Sequence, residues 1–334
     1  MKVYNIPVFV SHQGCPFDCA YCNQRHITGN SGEVTAENVR NIIESYLETI
    51  CRKDSFIEAA FFGGSFTGIE PEKQRGLLAA AFDYIKKGSI DGIRISTRPD
   101  YISESALNLL AEYGVTTIEL GVQSLDSDVL KASRRGHSAE DVVKAVECIR
   151  KYNFNLGLQM MTGLPEDTPD KCIATAEKIS AMKPDFVRIY PTLIVKDTLL
   201  EVLYKKGLYK PQSLDEAVSL CAELKKIFDR EKIKIIRISL VTTDEISPGG
   251  SLVAGPFHPS FGELVETELY YEKMSELLSD KTDRENIYIF FVNPKEVSKA
   301  VGNKRKNIGR IYNKMGFKIK VRGRGDIDRG NITL

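Results

Sequence analysis

Three cysteines lie close together near the start of the chain, at Cys15, Cys19 and Cys22. Thiolates bind zinc and iron–sulfur clusters, and three of them in one short segment can hold a metal group. A structural zinc ion normally takes four ligands, and the nearby candidates for a fourth are His12 and His26. An iron–sulfur cluster held by only three cysteines would instead leave one iron open to an outside ligand. The segment therefore predicts a metal centre, with either metal possible on spacing alone.

The other four of the seven cysteines, Cys51, Cys148, Cys172 and Cys221, are scattered along the chain. An odd total argues against a disulfide framework. They fall in helical patterns, so we expect buried structural thiols that behave as small hydrophobic residues.

Composition is that of an ordinary globular protein. The 334 residues are 42% hydrophobic and 27% charged, which excludes collagen-like, disulfide-scaffold and wholly disordered classes. No apolar run approaches the roughly 20 residues of a membrane-spanning helix, and the opening MKVYNIPVFVSHQG lacks the continued apolar region of a signal peptide. We therefore expect a cytoplasmic protein with no membrane association.

The first 240 residues repeat a pattern of a short apolar run, a turn and a longer amphipathic segment. The predicted strands are VYNIPVFV, IEAAFF, GIRIS, TTIELGV, NLGLQMM and DFVRIY, with KIKIIRISL as a further strand. Strands that alternate with helices form parallel sheets with right-handed crossovers. The pattern predicts an α/β fold, a partial (β/α)6 TIM-like barrel over residues 1–240. In such barrels the loops after the strands form the site, which is where the three cysteines lie.

A second unit is predicted over residues 241–334, after a connector rich in Gly, Pro and Ser. It reads as one long helix and then strand, helix, helix and strand. Residues 281–334 carry 14 Lys or Arg against 5 Asp or Glu. Such an excess indicates a polyanionic partner such as nucleic acid, or simply a solvated basic face.

The CxxxCxxC spacing, with Tyr21 before its last cysteine and at the end of the first strand, resembles the radical S-adenosylmethionine (radical SAM) family. The resemblance implies that Cys15, Cys19 and Cys22 hold a four-iron, four-sulfur cluster. It also implies that S-adenosylmethionine binds the open iron and is cleaved to a 5′-deoxyadenosyl radical, with electrons from a reductant such as flavodoxin or ferredoxin.

Later motifs extend the resemblance at the ends of successive strands. The segment FGGSFTG is similar to the family's glycine-rich segment, which places Gly63, Gly64 and Ser65 at the cofactor together with Tyr21. By resemblance to the oxygen-independent coproporphyrinogen oxidase branch and the elongator catalytic subunit, Arg135 pairs with the cofactor carboxylate, and Arg134 is its alternative. The same resemblance implies hydroxyl or amine contacts from Ser96, Gln123 and Gln159.

The likeness is greatest to the radical domain of the elongator catalytic subunit, through FGGSFTG, RISTRPD, ELGVQSLDSDVL, MMTGLP and RIYPTLIVKDT. It implies RNA, specifically tRNA, as substrate, with Tyr190 and Lys196 as substrate-side catalytic groups. The cysteine spacing here is shorter than in that subunit. The acetyltransferase domain of that subunit has no counterpart in this sequence, so we expect the radical reaction rather than complete uridine acetylation.

The basic unit resembles a KH-type RNA-binding core, in which a GxxG loop between two helices clamps a nucleic-acid backbone. Here the loop reads GNKR, with Arg305 in place of the second glycine. Lys304, Arg305 and Lys306 are the predicted phosphate contacts, and a basic cap on the barrel is the alternative.

Two other functions fit the same residues. One is a radical SAM enzyme that acts on a porphyrin or another small molecule, which would leave the basic unit without a catalytic role. The other is a non-catalytic iron–sulfur protein that binds RNA.

Overall fold

The computed structural model describes residues 2–10, 13–23, 33–240, 246–247 and 249–334. The chain divides into two compact units. The first comprises residues 1–213 and 226–256, and the second comprises residues 214–225 and 257–334. Within the described ranges, no helix is both long and apolar enough to cross a membrane.

The first unit is built on seven parallel strands. They are β1 (Lys2–Phe9), β2 (Ser55–Phe62), β3 (Gly92–Thr97), β4 (Val115–Gln123), β5 (Asn155–Thr162), β6 (Phe186–Pro191) and β8 (Lys234–Ile238), and they lie side by side in chain order. The first and last of these strands do not pair with each other among the described residues, so the sheet stays open. The predicted partial barrel is confirmed, including its further strand.

Helices alternate with these strands, as the sequence predicts. They are α1 (Ala36–Leu47), α2 (Pro71–Lys86), α3 (Glu104–Glu112), α4 (Ser127–Ala132), α5 (Ala139–Ile149), α6 (Pro169–Ala181), α7 (Leu199–Lys205) and α8 (Leu214–Arg230). Their starts follow from local chemistry. Thr35 and Ser138 form capping boxes, and Pro71 and Pro169 open α2 and α6, where a missing N–H costs nothing.

A short antiparallel ribbon pairs a segment that follows β6 with a segment of the predicted connector. It joins β7 (Ile194–Val195) to β9 (Leu252–Ala254). Sequence periodicity missed both strands because two or three residues are too few to show alternation.

The second unit contains α9 (Phe261–Leu278), β10 (Ile287–Val292), α10 (Val297–Val301), α11 (Lys306–Met315), β11 (Lys318–Gly323) and β12 (Ile332–Thr333). The strand order is β11-β10-β12, with β10 parallel to β11 and antiparallel to β12. The predicted sheet module with two intervening helices is therefore present. Its core packs one face of the sheet against the helices through Tyr270, Met274, Phe290, Ile311, Phe317 and Ile319.

Candidate functional site

The cysteine loop and the glycine segment after β2 pack backbone against backbone. The Ser65 amide donates to the Gln13 carbonyl at 2.9 Å. A Cβ on Gly64 would lie 2.5 Å from the carbonyl oxygens of Val10 and Gln13, and one on Gly14 would lie 2.1 Å from the Ser65 oxygen. No side chain fits at either position, so the glycines fix the cysteine loop at the mouth of the barrel.

The loop is also anchored beyond its cysteines. Cys19 is buried, while Cys15 and Cys22 are half-buried. The amide of Ala20 donates to the Ser133 carbonyl at 3.0 Å, and the Ala20 carbonyl accepts from the Leu200 amide at 2.7 Å. The three thiols are thus presented from one loop held on two sides.

Within the part of the chain that is described, no three His, Cys, Asp or Glu side chains converge as a site for a single metal ion. His12 and His26, the candidates for a fourth zinc ligand, lie outside the described residues. Of the four scattered cysteines, Cys172 and Cys221 are buried as expected. Cys148 is half-buried on α5, and the expectation was wrong for Cys51, which is exposed in the segment between α1 and β2.

The Arg135 guanidinium lies against the cysteine loop. Its Nη1 donates to the Cys19 sulfur at 3.5 Å and its Nη2 to the Gly121 carbonyl at 2.7 Å. Its Nε is buried and has no hydrogen-bond partner among the residues that the structure describes. A buried N–H is rarely left unpaired, so a ligand acceptor suits this position. Arg134, the alternative, is exposed.

Three thiols on one loop and an unmatched buried cation beside them suit an iron–sulfur cluster with an anionic cofactor. Burial raises the pKa of the Cys15 thiol, although nearby Arg135 opposes the shift. Burial and the Cys19 thiol, which shares a hydrogen bond with it, also raise the pKa of Tyr21. Burial lowers the pKa of Arg135, but Tyr21 and Cys19 hold it above its ordinary value. The guanidinium therefore stays charged.

Gly121 brings two predicted cofactor residues together. A Cβ there would lie 2.8 Å from Arg135 Nη2 and 2.9 Å from Gln123 Nε2, so both side chains cross the space that the glycine leaves. Gln123 has a φ of +67° at a shift in the β4–β5 register. Its Oε1 accepts from Gln159 Nε2 at 3.4 Å. Sequence reasoning missed Gly121, whose signal is a glycine inside a buried strand.

Ser96 and Ser65 occupy different environments. Ser96 is half-buried near the end of β3, in register with Glu119 of β4. Ser65 is fully buried, and its Oγ hydrogen-bonds Thr97 Oγ1 at 2.9 Å and accepts from the Arg98 amide at 3.3 Å. The Ser65 hydroxyl thus links the glycine segment to the end of β3. Thr97 was not singled out from the sequence.

Four charged side chains with little exposure, one from each of β2, β3, β4 and β6, form a continuous set of ion pairs. Arg94 donates to Glu58 Oε2 at 2.7 Å and to Glu119 Oε1 at 2.6 Å, and Arg188 Nε donates to Glu119 Oε2 at 2.6 Å. Glu58 is also satisfied by Thr117 Oγ1 at 2.6 Å. We call these four charged residues the barrel ion network. Their signal in the sequence is a single charged residue in each of four otherwise uncharged strands.

The two predicted catalytic residues, Tyr190 and Lys196, differ in their burial. The Tyr190 hydroxyl accepts from Arg188 Nη1 at 3.4 Å, and burial raises the pKa of this half-buried tyrosine. Lys196 has an exposed side chain, and its carbonyl accepts from Asn23 Nδ2 at 3.3 Å. Lys196 thus connects the end of the cysteine loop to the β7–β9 ribbon through its main chain.

In the second unit, the GNKR loop has an unusual backbone. Gly302 has φ +75° and ψ 158°, while Lys304 and Arg305 have φ of +50° and +61°. Lys304, Arg305 and Lys306 are exposed, and Lys306 Nζ lies 3.1 Å from Asp215 Oδ1. The loop presents three cationic side chains, and the backbones of Lys304 and Arg305 lie in the left-handed region that glycine favours.

The model of the radical SAM superfamily matches residues 9–179, and that of the Radical_SAM C-terminal domain matches residues 184–271. The chain belongs to the radical SAM superfamily, whose enzymes use a four-iron, four-sulfur cluster and S-adenosylmethionine. These predicted cofactors are confirmed for the family.

Two named proteins are similar to part of this chain. The tRNA uridine(34) acetyltransferase of Methanocaldococcus infernus is 29% identical over 239 residues, which are 66% of this chain and 44% of that protein. Human Elongator complex protein 3 is 35% identical over 136 residues, 40% of this chain and 25% of that protein. The chain spans less than half the length of these relatives.

The fold is shared with a solved structure of archaeal Elp3 from M. infernus that lacks its N-terminal segment. The TM-score is 0.64 at 24% identity, and the match covers 95% of this chain and 68% of that one.

Proposed function

We propose that this radical SAM enzyme acts on RNA, and specifically on tRNA. The radical part rests on one observation, the buried Arg135 guanidinium, which contacts Cys19 and has one N–H without a partner in the described part of the chain. The tRNA part rests on likeness to proteins named as tRNA uridine(34) acetyltransferases and on the basic residues 281–334. The reaction takes place in the cytoplasm, with flavodoxin or ferredoxin as reductant.

When bound, the cluster and S-adenosylmethionine supply a carbon-centred radical that removes hydrogen from a substrate. Cys15, Cys19 and Cys22 hold the cluster, with Tyr21 beside them. Arg135 supplies the cation for the cofactor carboxylate, because its fixed fork suits a planar anion.

Polar groups at the strand ends complete the proposed cofactor site. The main chain at Gly63, Gly64 and Ser65 approaches the cofactor amine. Side chains of Ser96, Gln123 and Gln159 offer hydrogen bonds. Since the Ser65 hydroxyl is already bonded to Thr97, its contribution is through the loop it holds.

Substrate groups are assigned on position. Tyr190 lies on β6, among the charges of the barrel interior, and Lys196 is exposed next to the cysteine loop's anchor. We propose residues 1–240 as the catalytic domain and 241–334 as a connector, a helix and a KH-like module. In that module Lys304, Arg305 and Lys306 contact RNA phosphates.

The test is tRNA-dependent cofactor cleavage. The protein is reconstituted anaerobically with iron and sulfide, reduced with dithionite, and given S-adenosylmethionine with or without bulk tRNA. We expect tRNA to raise 5′-deoxyadenosine production, Cys19→Ala to abolish it, and the matched control Cys51→Ala to leave it unchanged. Stimulation by coproporphyrinogen and not by tRNA would contradict the RNA assignment. An intact cluster that never cleaves the cofactor would contradict the enzymatic one.

A further inference from the structure

The outer face of the second unit's sheet carries an apolar row beside a cationic row. Along β10 the apolar row is Ile287, Ile289 and Phe291. Their partners in register on β11 are Lys318, Lys320 and Arg322. Register partners in neighbouring strands point to the same face, so the two rows run side by side. We call these six side chains the outer-face rows.

The opposite face of the same strands forms the core. Tyr288, Phe290 and Val292 alternate with the apolar row and pack with the helices, as do Ile319 and Val321 of β11. The outer face is therefore not part of that core. Ile287 is 45% exposed, and all three cations are exposed. Strand residues that repeat every second position are about 6.6 Å apart, so the cations form an evenly spaced line.

An arginine already stacks on the aromatic member of the apolar row. The guanidinium carbon of Arg324 lies 4.9 Å from the centre of the Phe291 ring. Thr333 of β12 lies in register on the other side of Phe291 and is exposed. The ring is thus flanked by polar and cationic groups, as an aromatic side chain that receives a base would be.

Two of the four cations on this face lack a carboxylate partner among the described residues. Lys318 Nζ lies 2.9 Å from Glu285 and Arg324 Nε 2.8 Å from Asp326, and both are solvent-exposed pairs of small energetic value. Lys320 and Arg322 form no ion pair within the described ranges. The free cations therefore lie at the middle and the carboxyl end of the row.

Lysines on an edge strand also discourage pairing between sheets, and β11 is an edge strand. That role would explain the cations but not an apolar row with a half-buried aromatic on β10, the central strand. A sheet face that combines a half-buried aromatic with flanking cations matches the chemistry of single-stranded RNA, which offers unstacked bases and regularly spaced phosphates.

We propose that the outer-face rows bind a single-stranded segment of RNA, with Lys320 and Arg322 at phosphates and a base stacked at Phe291. This surface is distinct from the GNKR loop, and both family models end at or before residue 271, ahead of it. The inference rests on the proposed function because it takes the substrate to be RNA.

The test uses the full chain and a single-stranded RNA of about 12 nucleotides, within the usual site size of such platforms. Binding is measured across a salt series. In Lys320→Ala/Arg322→Ala we expect the slope of log affinity against log salt to fall by about 1.4, since each single-strand phosphate contact contributes about 0.7. The matched control Lys53→Ala/Lys87→Ala removes two exposed lysines near the amino ends of barrel strands, and should leave the slope unchanged.

A second variant tests stacking. Phe291→Leu keeps an apolar side chain but loses the ring, so affinity should fall roughly 5- to 150-fold, while the control Ile289→Leu changes it little. A duplex of the same length should compete poorly because its bases are already stacked. Equal binding of duplex and single strand, or an unchanged salt slope, would overturn the proposal. Loss of binding confined to a Lys304→Ala/Arg305→Ala/Lys306→Ala variant would also overturn it.

Parallel measurement of tRNA-stimulated 5′-deoxyadenosine keeps the two proposals apart. If the outer-face variants bind RNA normally while tRNA still stimulates cleavage, the RNA-binding role of the outer-face rows is contradicted and the proposed function is supported. If the outer-face rows bind RNA as expected but tRNA does not stimulate cleavage, their RNA-binding role is supported and the proposed action on tRNA is contradicted.

Discussion

Removing one charge from the barrel ion network should destabilise the first unit strongly. Glu119 accepts from both Arg94 and Arg188, and its side chain is 4% exposed. The four charges cancel in pairs, so Glu119→Gln leaves two buried guanidiniums facing Glu58 alone. Breaking a buried ion pair costs about 3–5 kcal/mol. An exposed pair is worth about 0–1 kcal/mol, so Glu285→Gln, which affects an exposed pair with Lys318, is the matched control.

The assay must report on the first unit alone, because two compact units can unfold separately. Hydrogen exchange of peptides from β3 and β4, followed by mass spectrometry, measures the free energy of opening there. A loss of 3–5 kcal/mol corresponds to exchange faster by roughly 100- to 4,000-fold. Glu119→Gln/Arg188→Met restores the balance of charge and should be less unstable than the sum of its single changes.

If Glu119→Gln accelerated exchange no more than Glu285→Gln does, the barrel ion network would not stabilise the first unit as proposed. Strict additivity in the double variant would contradict this role as well, since independent residues add.

Three further changes test local features. Gly121→Ala should slow cofactor cleavage up to about a hundredfold, because the added methyl group would displace the side chains of Arg135 and Gln123. Gly76→Ala in α2, where a Cβ meets open space, should leave the rate unchanged, and equal rates for the two variants would contradict the prediction. Burial and neighbouring arginines lower the pKa of His137 to about 3. Because the imidazole is neutral in the folded state, the first unit should lose up to about 5 kcal/mol of its free energy of unfolding as pH falls from 6.5 towards 3. Hydrogen exchange measures this loss, and His137→Gln should flatten the pH dependence. Arg305→Gly should stabilise the second unit by about 1 kcal/mol in the same assay, because glycine adopts the left-handed backbone conformation of Arg305 without steric cost. Lys306→Gly should destabilise the unit, because Lys306 lies in a helix.

The strands and helices follow from the sequence because their patterns are local. Buried strands such as NLGLQMM are mostly apolar runs bounded by turns, and Thr35 caps α1 in a capping box whose residue types are visible in the sequence. The β7–β9 ribbon could not be found this way, since its strands pair across more than fifty residues and are too short to show a period.

The site was predictable only in part for a related reason. The cysteines are close in sequence, so their spacing is informative. The contact between Arg135 and Cys19, however, spans 116 residues and depends on the space that Gly121 leaves. Each member of the barrel ion network looks alone like an isolated charge in a strand, and only register between strands shows that the charges pair.

We propose that Cys15, Cys19 and Cys22 hold an iron–sulfur cluster at which S-adenosylmethionine is cleaved. The most direct measurement is iron and sulfide content with the electron paramagnetic resonance spectrum of the reduced protein, before and after addition of S-adenosylmethionine, alongside 5′-deoxyadenosine production. We expect the signal to change when the cofactor binds the open iron, and cluster and product to be lost in Cys19→Ala but not in Cys51→Ala. A stoichiometric zinc ion in place of iron, or a cluster whose signal does not respond to the cofactor, would contradict the account.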